Sequence, residues 1–206
     1  MASLTPLAYA ALGLLNEGPS HPYEMFQTMT HRRDARNVKV RPGTLYHQVG
    51  RLVEHGHAAV VGTDRAGNRP ERTTYAITDA GREALHDGLL ELISAPADEY
   101  PVFHLALAEI ENLPQDEAVS SLVDRIAALE VQRTELDEIR AVVSAKALPE
   151  RWWLDVSYVH AMLTAQIEWL RATVARIENG DVPWTDPGTG PAVPPQNSTN
   201  SKEPTR

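Results

Sequence analysis

Arg41-Pro-Gly-Thr-Leu-Tyr-His-Gln-Val-Gly-Arg-Leu-Val-Glu-His-Gly56 opens with helix-start residues and closes on glycine. Leu45, Val49 and Leu52 recur at i, i+4, i+7, which is one buried stripe. Thr44, His47 or Gln48, and Arg51 form the opposite stripe, with no large apolar side chain among them. Across residues 31–51, Arg32, Arg33, Arg36, Lys39, Arg41 and Arg51 face a single acid, Asp34, for a local charge of +5. One apolar face, one hydrogen-bonding face and a cationic approach are what a DNA-recognition helix requires.

The flanking sequence supplies the rest of such a module. Thr5-Pro6 reads as an N-cap followed by proline, starting a helix that runs to about Asn16 before Gly18-Pro19 breaks it. His21-Pro22-Tyr-Glu24 starts a second helix, with Met25, Phe26 and Met29 on its apolar side. After Gly56 come two strand-like runs, 57–61 and 73–77. Between them lies the charged loop Asp64-Arg-Ala-Gly-Asn-Arg-Pro-Glu-Arg72. Three helices followed by a β-hairpin with a basic tip is the order of a winged helix-turn-helix. Thr78-Asp79 then caps a further helix reaching the low nineties.

The second half reads as helix throughout. A segment of about a dozen residues, 102–112, precedes a long helix opened by Pro114-Gln-Asp-Glu117, whose acids favour the dipole at that end. Val119, Leu122, Ile126, Leu129, Leu136 and Val143 form its seam. Trp152, Val156, Val159, Leu163, Leu170, Val174 and Ile177 form a second seam beyond Pro149. Antiparallel pairing within the chain and packing on a second copy would both cover these seams. From Gly180 the composition turns to Pro, Gly, Ser, Thr and Asn, which buries almost nothing. The expected organisation is a DNA-binding domain over 1–90, a helical dimerisation and possible effector-binding domain over 91–179, and a disordered tail over 180–206. The fold class is mainly α.

The net charge of −9 is unevenly distributed. Residues 1–90 carry ten Lys/Arg and nine Asp/Glu (+1), whereas 91–206 carry nine against nineteen (−10). Phosphate affinity follows the field of the contacting face, so the acidic total does not exclude nucleic acid. The chain has no cysteine, which removes disulfide, thiolate–zinc and redox-switch readings together. No Lys or Arg precedes Arg32, arguing against a signal peptide, and no apolar run is long enough to span a membrane. A cytoplasmic location, nucleoid-associated when bound to DNA, is expected. No phosphate loop, serine elbow or paired-carboxylate motif occurs, so neither enzymatic activity nor a cofactor is expected. His55-Gly-His57 has no companion ligand in the sequence to suggest a metal.

Leu12-Gly-Leu-Leu15 with Gly18-Pro19, His21-Pro-Tyr-Glu24, Gly43-Thr-Leu-Tyr46, Arg51-Leu52 with Gly56, Arg69-Pro70, and Tyr75-Ala-Ile-Thr78 with Gly81 follow one another over about 80 residues. In order and spacing they resemble the PadR family of bacterial transcriptional regulators. The resemblance implies a homodimer on a palindromic operator, often a repressor released by an effector. Pro22 stands where the family usually has glycine, and Thr73 where it commonly has Lys or Arg. The DNA-contacting set expected here is Tyr23, Arg41, Gly43, Thr44, Tyr46, His47, Arg51, Arg65, Arg69 and Arg72. Trp153, Trp169, Tyr158 and Met162 are the candidate lining for a small, possibly aromatic, effector. A winged-helix protein-interaction module and a metal-responsive sensor are the alternatives.

Overall fold

A computed structural model describes residues 4–64, 72–97 and 99–184. The chain divides into two compact units, 1–99 and 100–206.

In the first unit, helix α1 (Pro6–Glu17) is capped by the Thr5 hydroxyl, which accepts from the Ala8 N–H at 3.2 Å. Helix α2 (Pro22–His31) is capped by His21, whose Nδ1 accepts from the Tyr23 N–H at 3.1 Å. Glu24 Oε2 in turn accepts from the His21 N–H at 3.3 Å. Helix α3 (Pro42–Glu54) ends at His55, and Gly56 takes the left-handed conformation (φ 74°) that lets the chain turn out of the helix. The three helices converge on one core: Ala8, Ala11, Leu12 and Leu15 of α1, Met25 and Met29 of α2, and Leu45, Val49 and Leu52 of α3, joined by Ala58 and Ile77. Fully burying a leucine or methionine of this set contributes about 1.5–3 kcal/mol.

Strands β1 (Ala58–Asp64) and β2 (Arg72–Ile77) pair antiparallel, Ala58 opposite Ile77 and Val60 opposite Tyr75, with a bulge between Val60 and Gly62. β1 starts one residue and ends three residues later than the sequence expectation, and β2 starts one residue earlier and ends at the expected Ile77. The ladder continues as far as Asp64 opposite Arg72, beyond the apolar residues that mark a strand in sequence. Ser20 adds a third partner, exchanging two backbone hydrogen bonds with Tyr75 (2.9 and 3.0 Å). Helix α4 (Asp79–Ser94) is capped by Thr78, which accepts from the Gly81 N–H and donates to the Gly56 carbonyl. Glycine is obligatory at 81: a Cβ there would lie 2.0 Å from the His57 carbonyl oxygen. Gly88 likewise leaves room for Tyr9, whose hydroxyl oxygen would be 2.1 Å from a Cβ. Because α4 runs to Ser94, the 90/91 division expected from sequence falls inside a helix, and the units separate at 99/100.

The second unit contains α5 (Val102–Ala108), a 3₁₀ turn (Ile110–Asn112), α6 (Gln115–Ala145), a second 3₁₀ turn (Glu150–Trp152) and α7 (Leu154–Glu178). Helices α6 and α7 run antiparallel. Gln115 bonds the Ile177 carbonyl near one end, Glu130 pairs with Arg171, and Asp137 meets His160 at 3.0 Å towards the other. Leu122, Leu129, Ile167, Leu170, Val174 and Ile177 are buried between them. Both expected seams therefore cover each other within one chain. Trp152 is an exception: it lies in the 3₁₀ turn, 65% exposed, because Pro149 ends the helical path before it. At the far end, the Trp184 indole N–H donates to the Leu113 carbonyl at 2.9 Å, and Val182 packs on the same core. The rest of the expected tail, 185–206, lies outside the described residues.

Candidate nucleic-acid interface

Helix α3 turns Leu45, Val49 and Leu52 inward and leaves its other side in solvent, where Tyr46, His47 and Arg51 are exposed. Two glycines share that side, Gly43 and Gly50. A Cβ built on either would meet nothing within 4 Å, so no internal packing demands them. A glycine in mid-helix costs about 1 kcal/mol relative to alanine. Its use at position 50, without an internal reason, leaves a notch where an external surface can come close. Sequence reading assigned such a role to Gly43 and missed Gly50, although its place between His47 and Arg51 on the polar face was a usable signal.

The start of α3 is unlike those of α1, α2 and α4, because the side chain of its N-cap residue, Arg41, accepts from no first-turn N–H. Thr44 instead closes back on residue 41: its hydroxyl donates to the Arg41 carbonyl at 2.8 Å and accepts from the Arg41 N–H at 3.3 Å. With its only proton committed, Thr44 offers a partner one lone pair and a methyl group. Lys39 and Arg41 flank this end of the helix. They line an open groove of about 510 Å³ that also includes Gly43, Thr44, His47 and Gln48. Among the described residues, neither Lys39, Arg41 nor Arg51 makes an ion pair.

The cationic cluster is smaller in space than in sequence. Arg32 grips Glu17 with both terminal nitrogens, at 2.6 and 2.7 Å. That hydrogen bonding holds the Glu17 carboxyl below the usual carboxylate range, against the opposing effect of partial burial, and raises Arg32. Arg36 turns a guanidinium nitrogen onto the Arg32 and Arg33 carbonyls. Both cations are thereby tied to their own fold.

Tyr23 of α2 and Tyr46 of α3 are both nearly half exposed. The His21 ring stands edge-on to Tyr46 with centroids 5.8 Å apart, linking the α2 cap to α3. Arg72 is exposed at the start of β2, opposite Asp64. Arg65 and Arg69, expected at the wing tip, lie outside the described residues.

The four residues expected to line an effector site do not meet as one pocket wall. Tyr158, Met162 and Trp169 share one face of α7 and are 66, 53 and 51% exposed. They point away from Val156, Ile167, Leu170 and Val174, which face α6. Trp153 is half-buried at the start of α7, its indole N–H donating to the Leu148 carbonyl at 3.3 Å.

Residues 11–87 match the family model described as the transcriptional regulator PadR-like family. Over 180 residues the chain is 24% identical to the negative transcriptional regulator PadR of Bacillus subtilis, covering 84% of this chain and 97% of that protein. Its fold is similar to the crystal structure of Bacillus subtilis PadR in complex with operator DNA, with a TM-score of 0.72 at 22% identity, covering 83% of this chain and 98% of that one. The same regulator in complex with p-coumaric acid superposes with a TM-score of 0.69 at 20% identity (86% and 98% covered). The Vibrio cholerae virulence activator AphA is similar at 0.60 and 18% identity (84% and 98% covered).

Proposed function

We propose that this chain, which carries a PadR-like regulator domain over residues 11–87, is a sequence-specific DNA-binding transcriptional regulator, a repressor acting as a homodimer on a palindromic operator. The observation that carries the reading is the solvent face of α3. It combines exposed hydrogen-bonding side chains, two glycines that no internal contact requires, and Lys39 and Arg41 beside a helix start whose N-cap side chain binds no first-turn N–H. Tyr46, His47 and Arg51 enter the major groove. Gly43 lets a phosphate reach the first-turn N–H groups, aided by Arg41, and Tyr23 and Arg72 hold the flanking backbone. Arg65 and Arg69 are assigned to the wing tip on sequence alone. Thr44 contributes a methyl contact more readily than a donated hydrogen bond.

The dimer rests on the second unit, residues 100–178. Leu154, Tyr158, Met162 and Trp169 form a continuous exposed apolar face on α7, the kind of surface a second copy would cover. Two copies related by a two-fold axis bind half-sites about one helical turn apart, which is why the operator is palindromic. The complex of the similar Bacillus regulator with p-coumaric acid supports a small aromatic effector here. Tyr158, Met162 and Trp169 would supply one wall of its site once the face is partnered, with Trp153 at the helix start. No helix among the described residues is long and apolar enough to cross a membrane. A cytoplasmic location, on the chromosome when bound to DNA, goes with this reading.

Selection of bound duplexes from a randomised library by the full-length chain tests this reading, followed by affinity measurements over a range of salt. A palindromic consensus, with affinity falling steeply as salt rises, is the expected result. Binding that is independent of salt and sequence would return the winged helix to a protein-interaction role.

A further inference from the structure

The groove beside α3 holds a hydrogen bond between residues 43 positions apart: the Thr5 hydroxyl donates to Gln48 Oε1 at 3.0 Å. The same hydroxyl oxygen accepts from the Ala8 N–H as the cap of α1. A threonine hydroxyl has one proton, and here the oxygen serves the helix cap while the proton goes to Gln48. The carboxamide is thereby given a direction. Its oxygen accepts from Thr5 at the start of α1, and its nitrogen makes no hydrogen bond among the described residues. Gln48 is half-buried and lines the groove with Lys39, Arg41, Thr44 and His47, so the donating end is held at the mouth of a cationic surface.

We propose that Gln48 reads one base pair in each half-site, and that Thr5 is the positioning residue that sets which edge it reads. A free glutamine pairs best with adenine, donating to N7 and accepting from N6. Here Oε1 already accepts from Thr5, and the amide nitrogen is left as the donor with no hydrogen bond among the described residues. The matching major-groove edges are those that offer acceptors: guanine through O6 and N7, or thymine through O4. Thr5 acts through the polarity it imposes on Gln48.

This inference rests on the regulator reading above, and its test separates the two. The full-length chain is used to select duplexes from a randomised library, alongside Gln48→Ala, Thr5→Ser and Thr5→Asp. Thermal unfolding of each variant is followed in parallel. Wild type should show a guanine or thymine preference of roughly tenfold at one position of each half-site, and Gln48→Ala should flatten that position while sparing the others. Thr5→Ser keeps both the cap and the donated proton and should restore the wild-type profile. Aspartate also caps a helix, so Thr5→Asp should stay folded, but it has no proton to give. Gln48 then turns over to donate to the carboxylate and presents its oxygen, shifting the preference to adenine or cytosine. A merely structural role for Thr5 would not invert a base preference. If Gln48→Ala keeps the full wild-type profile, or Thr5→Asp keeps the guanine or thymine preference, the inference is overturned while the regulator reading stands. A wild-type chain that selects no sequence at all would overturn both.

Discussion

Helices α1–α3 and helices α6–α7 draw on the same aliphatic side chains, yet they finish with opposite surfaces. The winged-helix unit gathers its apolar residues into one core from five elements, and its helix α3 shows solvent a polar face. The α6–α7 pair spends one apolar face of α7 on α6 and leaves a second, Leu154 to Trp169, uncovered. The first unit is complete within one chain, and what it offers outward suits a polyanion. The second is incomplete, and what it offers suits another apolar surface. The contrast also shows in the glycines: 81 and 88 are required from within, whereas 43 and 50 have no internal contact to make.

The strongest way to break this contrast is to charge the uncovered face. The double variant Met162→Glu/Trp169→Glu should dissociate the dimer and lower operator affinity on the order of a hundredfold, since two linked half-sites bind far better than one. The fold of each unit should survive, because both side chains lie outside the core. Sedimentation with a matched binding curve decides it, and a double variant that remains dimeric would remove the reason for calling the second unit incomplete.

Next in size is Gly81→Ala. A methyl group 2.0 Å from the His57 carbonyl must push α4 from the base of the wing, for a loss of about 1–3 kcal/mol in chemical denaturation. An unchanged midpoint would show that this contact is looser than the geometry states.

Gly50→Ala should do the reverse. With no atom in the way, it should stabilise the protein by up to about 1 kcal/mol while weakening operator binding. Stability and affinity moving in the same direction would mean that the notch does not face DNA.

The smallest effect concerns the exposed pair Glu17–Arg32. Folding lowers the Glu17 pKa, so its stabilisation is fully present above the unfolded carboxylate range and is lost as pH falls through the lowered folded value. Glu17→Gln should cost under about 1 kcal/mol at neutral pH and flatten this acid limb. It also frees Arg32, so DNA binding should strengthen slightly and its salt slope steepen. An unaltered slope would place Arg32 away from the phosphate path.

The helix starts were legible because each is a local code: Thr5 with Pro6, His21 with Glu24, and Thr78 three residues before its strand-facing Gly81. The inward face of α3 was legible for the same reason, from three residues at helical spacing. Contacts between distant residues were not. Nothing local marks Thr5 as a partner for Gln48, or Glu17 as the acid that removes Arg32 from the cationic cluster. On α7 the difficulty was different. Both sides of the helix carry apolar residues at helical spacing, so periodicity alone cannot say which seam meets α6. The sequence reading chose the buried one, but placed Trp152 on it and assigned Trp169 to a ligand without foreseeing how open its face is. Glycine at 50 reads as a weakness of the helix until the structure shows that no neighbour asks for it.

The pair of backbone hydrogen bonds between Ser20 and Tyr75 has a mechanical consequence. Ser20 immediately precedes the residue that caps α2, and that residue's ring abuts Tyr46 on α3. The hairpin is therefore clamped to the entry of α2, and through the His21–Tyr46 contact α3 and the wing base form one stiff head. A head already shaped for its target loses little conformational freedom on docking, so more of its contact energy remains as affinity. Because the clamp is main-chain to main-chain, side-chain substitutions at position 20 leave it in place. Proline, which has no N–H to give, would loosen it.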